Sequence, residues 1–339
     1  MGPKSKAYRN RFRTFPDPTR PAPGPFTFAV LGDFGVGVKK DKNRGQRQVA
    51  EALERAVEQH DVRLVLTTGD NIYRQGGFLG TGGDTGDEDD DWYFTYYQPY
   101  RYVINRVPVY PSIGNHDAGE TEERDDRAQL VDNFYINERI AGEEAAGRAS
   151  VDPGLFYRFR FGSGVEFVCI DTSKEPTVFD KKKRLFKHPK HQEFLAAALP
   201  ETNGGPPAWR IPFCHHPPFC AGPKHGNTDR MERLVEQFER AGVRLVLSGH
   251  EHNCQHSRRN GVDYVVTGGA GKVRSGEPDG FEEAHTASWA AEHHFLLVTV
   301  DGRRMTIRAV GALEGGQLVD IKRKAPDGSA VNGPIVINL

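Results

Sequence analysis

VRLVLTTGD (residues 62–70) and VRLVLSGHEH (residues 243–252) carry the same run, which in both ends near a glycine followed by a side chain able to hold a metal ion. A short run rich in Val and Leu, bounded by turn residues, reads as a buried strand. Three more segments obey the same grammar: FTFAVLGD (26–33), VPVYPSIGNHD (107–117) and WRIPFCHH (209–216). Polar clusters therefore follow five strand-like runs: Asp33; Asp70 with Tyr73; Asn115 with His116; His215; and His250 with His252. Side chains placed where several strands end can converge in space.

Between these runs the pattern changes period. Residues 44–60 place Val49, Ala52, Leu53, Ala56 and Val57 on one helical face, ahead of the strand Val62–Thr67. Residues 229–241 repeat the device, with Asp229 as N-cap, Leu234, Val235 and Phe238 as the apolar face and Gly242 after the helix. Phe156–Ile170 reads as a hairpin about Gly162–Gly164, and Phe295–Val300 with Arg304–Val310 as another about Asp301-Gly302. Helices between parallel-type strands, with hairpins added, predict an α/β fold of stacked sheets flanked by helices.

The chain's 339 residues are 37% hydrophobic and 27% charged, with a formal net charge of -1, which gives no reason to expect nucleic-acid or membrane affinity. Length alone suggests about two domains. No long Pro/Gly/Ser-rich linker, however, separates the clusters between Asp33 and His252. Residues 26–339 are therefore expected to form a single domain. Ahead of it, residues 1–25 hold six prolines and six Lys/Arg against one acid, the composition of a loosely ordered basic arm. No apolar run reaches the length of a membrane span, and the N-terminus lacks the apolar core of a secretory signal, which leaves the compartment open.

Cys169, Cys214, Cys220 and Cys254 lack the paired spacing of a zinc ribbon and read as small buried apolar residues, with Cys220 and Cys254 placed so that they could meet. Charge runs read as solvated loops: six acids among residues 84–91, five more from Glu120 to Asp126, and the basic stretch Lys181–Arg184. The first leaves the Asp70 loop; bordering the mouth of a site there, it would repel polyanions and favour small or basic substrates.

Gly-Asp after a strand, as at Gly32-Asp33 and Gly69-Asp70, lets the chain turn and aims a carboxylate past the sheet edge. Aspartates from separate strands suit hard cations, and one carboxylate can bridge two metals about 3.5–4 Å apart; Asp70 is the expected bridge. In Gly114-Asn115-His116-Asp117 a neutral amide oxygen can bind metal while the adjacent imidazole stays available for proton transfer. His250 and His252, at i and i+2, cannot share a helical face but can reach two different metals from a turning segment. His215 ends its run and should point to the site, with His216 facing away or lining the mouth.

The ordered series GDFG, GDNIY, GNHD, HHPPF and GHEH, from about Phe26 to Gly271, resembles the metallophosphoesterase (calcineurin-like) superfamily and, within it, the purple acid phosphatases of the small tartrate-resistant type. The segment NCQHSRRNGVDYVVTGGAG after the last cluster is similar too. One departure from the wider superfamily stands at Gly35, where most members have His or Asn; Tyr73, three residues after Asp70, takes over as it does in purple acid phosphatases.

The resemblance implies a four-layer α/β/β/α sandwich of two mixed sheets and a dinuclear centre. Asp33, Tyr73 and His252 would hold Fe(III), Asn115, His215 and His250 a divalent ion (Zn, Mn or Fe(II)), and Asp70 would bridge. It implies hydrolysis of small phosphate monoesters by a metal-bound hydroxide attacking in line, with His116 protonating the leaving alcohol. His225 resembles a second active-site histidine, one residue out of the usual spacing. Phosphodiester cleavage at the same centre, or a non-catalytic metal-binding scaffold, are the alternatives. Oligomeric state stays open, with a monomer favoured.

Overall fold

The computed structural model describes residues 24–37, 44–73, 92–120, 127–145, 149–162, 164–175, 184–202, 209–228 and 231–339. The basic arm up to residue 23, the acidic stretch 84–91, the acids at 122–126, Lys181–Lys183 and Asp229 lie outside the described residues.

Strands run in chain order β1 (Phe26–Leu31), β2 (Val62–Thr67), β3 (Val109–Pro111), β4 (Tyr157–Phe161), β5 (Val165–Cys169), β6 (Trp209–Phe213), β7 (Leu245–Ser248) and β8 (Cys254–Arg259). They continue as β9 (Val262–Thr267), β10 (Thr286–Ala290), β11 (Phe295–Asp301), β12 (Arg304–Glu314), β13 (Gln317–Asp320), β14 (Arg323–Lys324), β15 (Ala330–Val331) and β16 (Ile335–Asn338). Helices are α1 (Arg44–Gln59), α2 (Arg101–Ile104), α3 (Arg127–Asn133), α4 (Ile136–Ala145), α5 (Pro189–Ala198) and α6 (Glu232–Arg240), with a π-helical turn at Tyr93–Tyr97.

One sheet has the order β13-β12-β11-β1-β2-β3, with β16 also on β12; the other has the order β15-β14-β10-β8-β9-β7-β6-β5-β4. Both are mixed. β1, β2 and β3 are parallel, as are β5, β6, β7 and β9, whereas β11 joins antiparallel to β1 and β12 antiparallel to β11. Parallel neighbours present their carboxyl ends on the same edge, where ligands bind in open α/β sheets.

The two sheets face each other across an aromatic layer. Phe28 meets Phe167 edge-on at 5.1 Å, Phe26 meets Phe161 at 4.6 Å, and Tyr110 stacks on Phe159 at 4.0 Å. Trp209 Nε1 donates to Gly302 O at 2.7 Å, so the polar tip of a buried ring is satisfied by the opposite sheet. On the outer face of the first sheet lies α1, whose Val49, Ala52, Leu53 and Ala56 are buried at the spacing the sequence predicts. On the outer face of the second lie α5 and α6, contributing Phe194, Leu195, Leu234, Val235 and Phe238 to a separate apolar cluster with Val168, Val246 and Tyr264. The layers are thus helix, sheet, sheet, helix, as expected.

Both predicted hairpins form, β4–β5 and β11–β12. The second predicted helix is shorter than the sequence suggests, running Glu232–Arg240 behind Met231. All four cysteines are buried free thiols, so Cys220 and Cys254 do not pair. No helix among the described residues is long and apolar enough to cross a membrane.

Candidate metal centre

Each sequence-predicted donor leaves a strand at the same edge: Asp33 after β1, Asp70 and Tyr73 after β2, Asn115 after β3, His215 after β6, and His250 and His252 after β7. The backbone is bent hard to aim them. Asp33, Asp70 and His250 all have positive φ, at 56°, 50° and 72°. A non-glycine residue in that region costs on the order of 1–3 kcal/mol and persists where surrounding structure enforces it. Here Asp33 N donates to Gly69 O at 3.1 Å, and His250 N donates to Asp33 Oδ2 at 2.9 Å.

The departure at Gly35 has a steric cause. A Cβ there would lie 2.4 Å from Ile72 Cα, because Gly35 N donates to Asp70 O and Tyr73 N to Gly35 O. The loop bearing Asp70 and Tyr73 is laced onto this glycine, so no side chain fits at the position, and the same lacing brings in Tyr73.

Two groups of donor atoms result. Tyr73 Oη lies 3.1 Å from Asp33 Oδ1 and 3.1 Å from His252 Nε2, and His252 Nε2 lies 3.5 Å from Asp33 Oδ1. His215 Nε2 lies 2.9 Å from Asn115 Oδ1, 3.1 Å from His250 Nδ1 and 3.5 Å from Asp70 Oδ1. Asp70 joins the groups: its carboxylate, that of Asp33 and the imidazole of His252 offer ligand atoms within 4.8 Å of one another. All seven predicted donors are brought together.

Chemistry of the second group fits a cation. Thr68 O accepts a 2.8 Å hydrogen bond from His215 Nδ1, since a carbonyl can only accept, and that turns Nε2 toward an amide oxygen, a carboxylate and another imidazole nitrogen. With both imidazoles neutral these atoms form a donor set for a cation; without one, burial lowers the His215 pKa but Asp70 and Asp33 outweigh it and raise it above the ordinary value. Burial raises the Asp33 carboxyl well above its ordinary range, with His215 opposing and Asp70 adding to the shift. For Asp70, burial also works upward, but His215 and then His116 outweigh it and lower its pKa. Burial, then Asp33 and Asp70, hold the Tyr73 phenol well above its ordinary range, so a phenolate here requires a nearby cation.

Further residues shape the site without having been singled out in the sequence. Asp117, fully buried, accepts from Gly114 N at 2.8 Å, Asn71 N at 3.0 Å, Asn71 Nδ2 at 2.9 Å and Ile72 N at 3.2 Å, tying the Asp70 loop to the Asn115 loop. Glu251, also fully buried, accepts from His225 N at 2.8 Å and His252 N at 3.1 Å and pairs with Arg274 Nε at 2.8 Å. Their place inside GNHD and GHEH was a signal; their burial was not legible. His216 does not face away: it is buried, its Nδ1 3.0 Å from Thr172 Oγ1 and its ring 4.5 Å from His250. His116 sits half-buried with its ring edge-on to Tyr73 at 4.6 Å, and His225 stacks on His250 at 3.9 Å.

Known proteins are similar to this chain in sequence and in fold. The chain is 27% identical over 292 residues to purple acid phosphatase 4 of Arabidopsis thaliana, covering 81% of this chain and 76% of that protein. It is 24% identical over 315 residues to tartrate-resistant acid phosphatase type 5 of Oryctolagus cuniculus, covering 83% and 85%. The solved structure of purple acid phosphatase PPD1 from yellow lupin superposes with a TM-score of 0.61 at 14% identity, covering 96% of this chain and 55% of that one. Residues 26–254 match the calcineurin-like phosphoesterase family, whose members imply a dinuclear metal centre and phosphoester hydrolysis, and the chain belongs to that family.

Proposed function

We propose that the protein hydrolyses phosphate monoesters at a dinuclear centre, Asp33, Tyr73 and His252 holding Fe(III), Asn115, His215 and His250 holding a divalent ion (Zn, Mn or Fe(II)), and Asp70 shared between them. The observation that carries the reading is the convergence of seven donor side chains from five strand ends into two adjoining groups. Donor charge sorts the ions: two potential anions with one imidazole favour a trivalent ion, and an amide with two imidazoles favours a divalent one. When bound, such a pair of cations acidifies water and offsets charge on the phosphate oxygens.

The protein's own groups do the rest. His215 is fixed in one tautomer by Thr68 O, and Asp117 holds the Asp70 and Asn115 loops in register. His116, half-buried at the mouth of a cleft, delivers a proton to the leaving oxygen as the P–O bond breaks and water supplies the incoming oxygen; such a group contributes on the order of 10² to 10⁴-fold. His225 Nε2 accepts from Arg274 Nη2 at 3.3 Å while the ring stacks on His250, which fixes its orientation beside the donor cluster. Residues 26–339 act as one catalytic unit, since β11 and β12 extend the sheet begun by β1.

Purified protein loaded with iron and zinc should hydrolyse p-nitrophenyl phosphate with a higher kcat/KM than bis(p-nitrophenyl) phosphate. A higher value for the diester would replace the monoester reading, and no turnover of either would reject catalysis.

A further inference from the structure

A cleft of about 520 Å³ opens beside the donor cluster, lined by His116, His252, Lys224, Lys272, Arg274 and His293 among others. The loop carrying two of its cations is pinned at both ends to the donors' own backbone. A Cβ on Gly271 would lie 2.7 Å from Phe34 O and 2.8 Å from Asp33 O, and Arg274 N donates to His252 O at 3.0 Å. Lys272, between these anchors, sets its Nζ 3.5 Å from the centroid of the Tyr73 ring. Arg274 is held in turn by buried Glu251, which also accepts from Lys224 N at 3.3 Å. Rigid placement of this kind matters because a preorganised cation loses less freedom on binding an anion than a wandering one.

His116 lines the same cleft. On the proposed function, to which this step adds and on which it rests, His116 protonates the leaving oxygen, so the leaving group occupies the cleft. We propose that the cleft selects phosphate esters whose leaving alcohol itself carries an anionic group, received by Lys272 and Lys224 with Arg274 behind. The described walls thus have the sign opposite to that of the acidic stretch 84–91, which lies outside the described residues, and they favour anionic over basic substrates.

Glycerol 3-phosphate and 3-phosphoglycerate test this, since they share a primary phosphate ester and differ in whether the leaving alcohol bears a carboxylate. Wild-type holoenzyme should prefer 3-phosphoglycerate in kcat/KM by on the order of tenfold or more, the worth of one charge-assisted hydrogen bond. Salt at about 0.5 M should erode the preference. Lys272→Gln and Lys224→Gln should each lower the ratio of the two kcat/KM values, chiefly through KM for 3-phosphoglycerate, with melting temperatures confirming that both variants fold. Parity in the wild type, or a ratio that neither substitution moves, overturns the proposal while leaving phosphatase function standing. Failure to hydrolyse these esters and p-nitrophenyl phosphate alike overturns the function beneath it.

Discussion

Glu251→Ala should destabilise the protein far more than an average substitution, and the size can be worked from its contacts. The side chain is fully buried, pairs with Arg274 Nε at 2.8 Å and accepts from the backbone N–H groups of His225, Lys224 and His252. Breaking a buried ion pair by removing one partner costs about 3–5 kcal/mol, and because the Arg274 side chain is 22% exposed the low end applies, about 3 kcal/mol. Backbone donors left without an acceptor add roughly 1 kcal/mol each where water cannot reach them, for a total of roughly 4–6 kcal/mol. A chain of this length unfolds with an entropy of about 0.7 kcal/mol/K, so the melting temperature should fall by about 6–8 °C. Glu251→Gln keeps one carbonyl oxygen for Arg274 and His252 N but turns an amide toward His225 N, and should lose about half as much. Differential scanning fluorimetry on chelator-treated protein reads this without a contribution from metal retention. A fall below about 2 °C for Glu251→Ala would refute the claim that this carboxylate holds the loop at the cleft.

Other outcomes follow from single contacts. Tyr73→Phe removes the oxygen that contacts Asp33 and His252, and should abolish any visible charge-transfer band of the iron-loaded protein while leaving its far-ultraviolet circular dichroism intact; an unchanged band would reject a ferric phenolate. Gly35→Ala should cost roughly 1–3 kcal/mol by overpacking, read by urea unfolding, because the new Cβ would lie 2.4 Å from Ile72 Cα. His191 is buried against Phe156, with burial pushing its pKa down to about 3. The folded state then refuses a proton that the unfolded chain accepts near pH 6.5, so stability declines as pH falls from about 6.5 toward 3, by about 2 kcal/mol at pH 5. His191→Phe should flatten the pH dependence of the melting temperature across that window, and an unaltered slope would contradict the assignment.

Much of the site was legible because its chemistry is local. A glycine and a donor after an apolar run say both that a strand stops and that a side chain leaves its end, which is why Asp33, Asp70, Asn115, His215, His250 and His252 could be picked out. Tyr73 was legible as a substitute for the ligand missing at Gly35, but the reason no ligand stands there is the close approach of Ile72, a tertiary contact. β8 is the converse: CQHSRR has no apolar alternation, yet its first four residues are buried, with His256 satisfied by Asp263 at 2.6 Å and Gln255 by Gly222 O at 2.8 Å. The short, partly exposed strands β13 to β16 gave no periodic signal either. Sheet order depends on which strands meet across long stretches of chain, as β1 with β11, and local pattern carries no information about that. Lys272 and Arg274 line the cleft because the loop at Gly271 docks on Asp33 and Phe34, a tertiary contact that no local pattern shows.

Elemental analysis of freshly purified protein, paired with p-nitrophenyl phosphate turnover before and after chelation, bears most directly on seven donors sharing two cations. Close to two metal ions per chain, one of them iron, with turnover lost on chelation and restored on reloading, is the predicted result. Full turnover with one metal ion or none would contradict it.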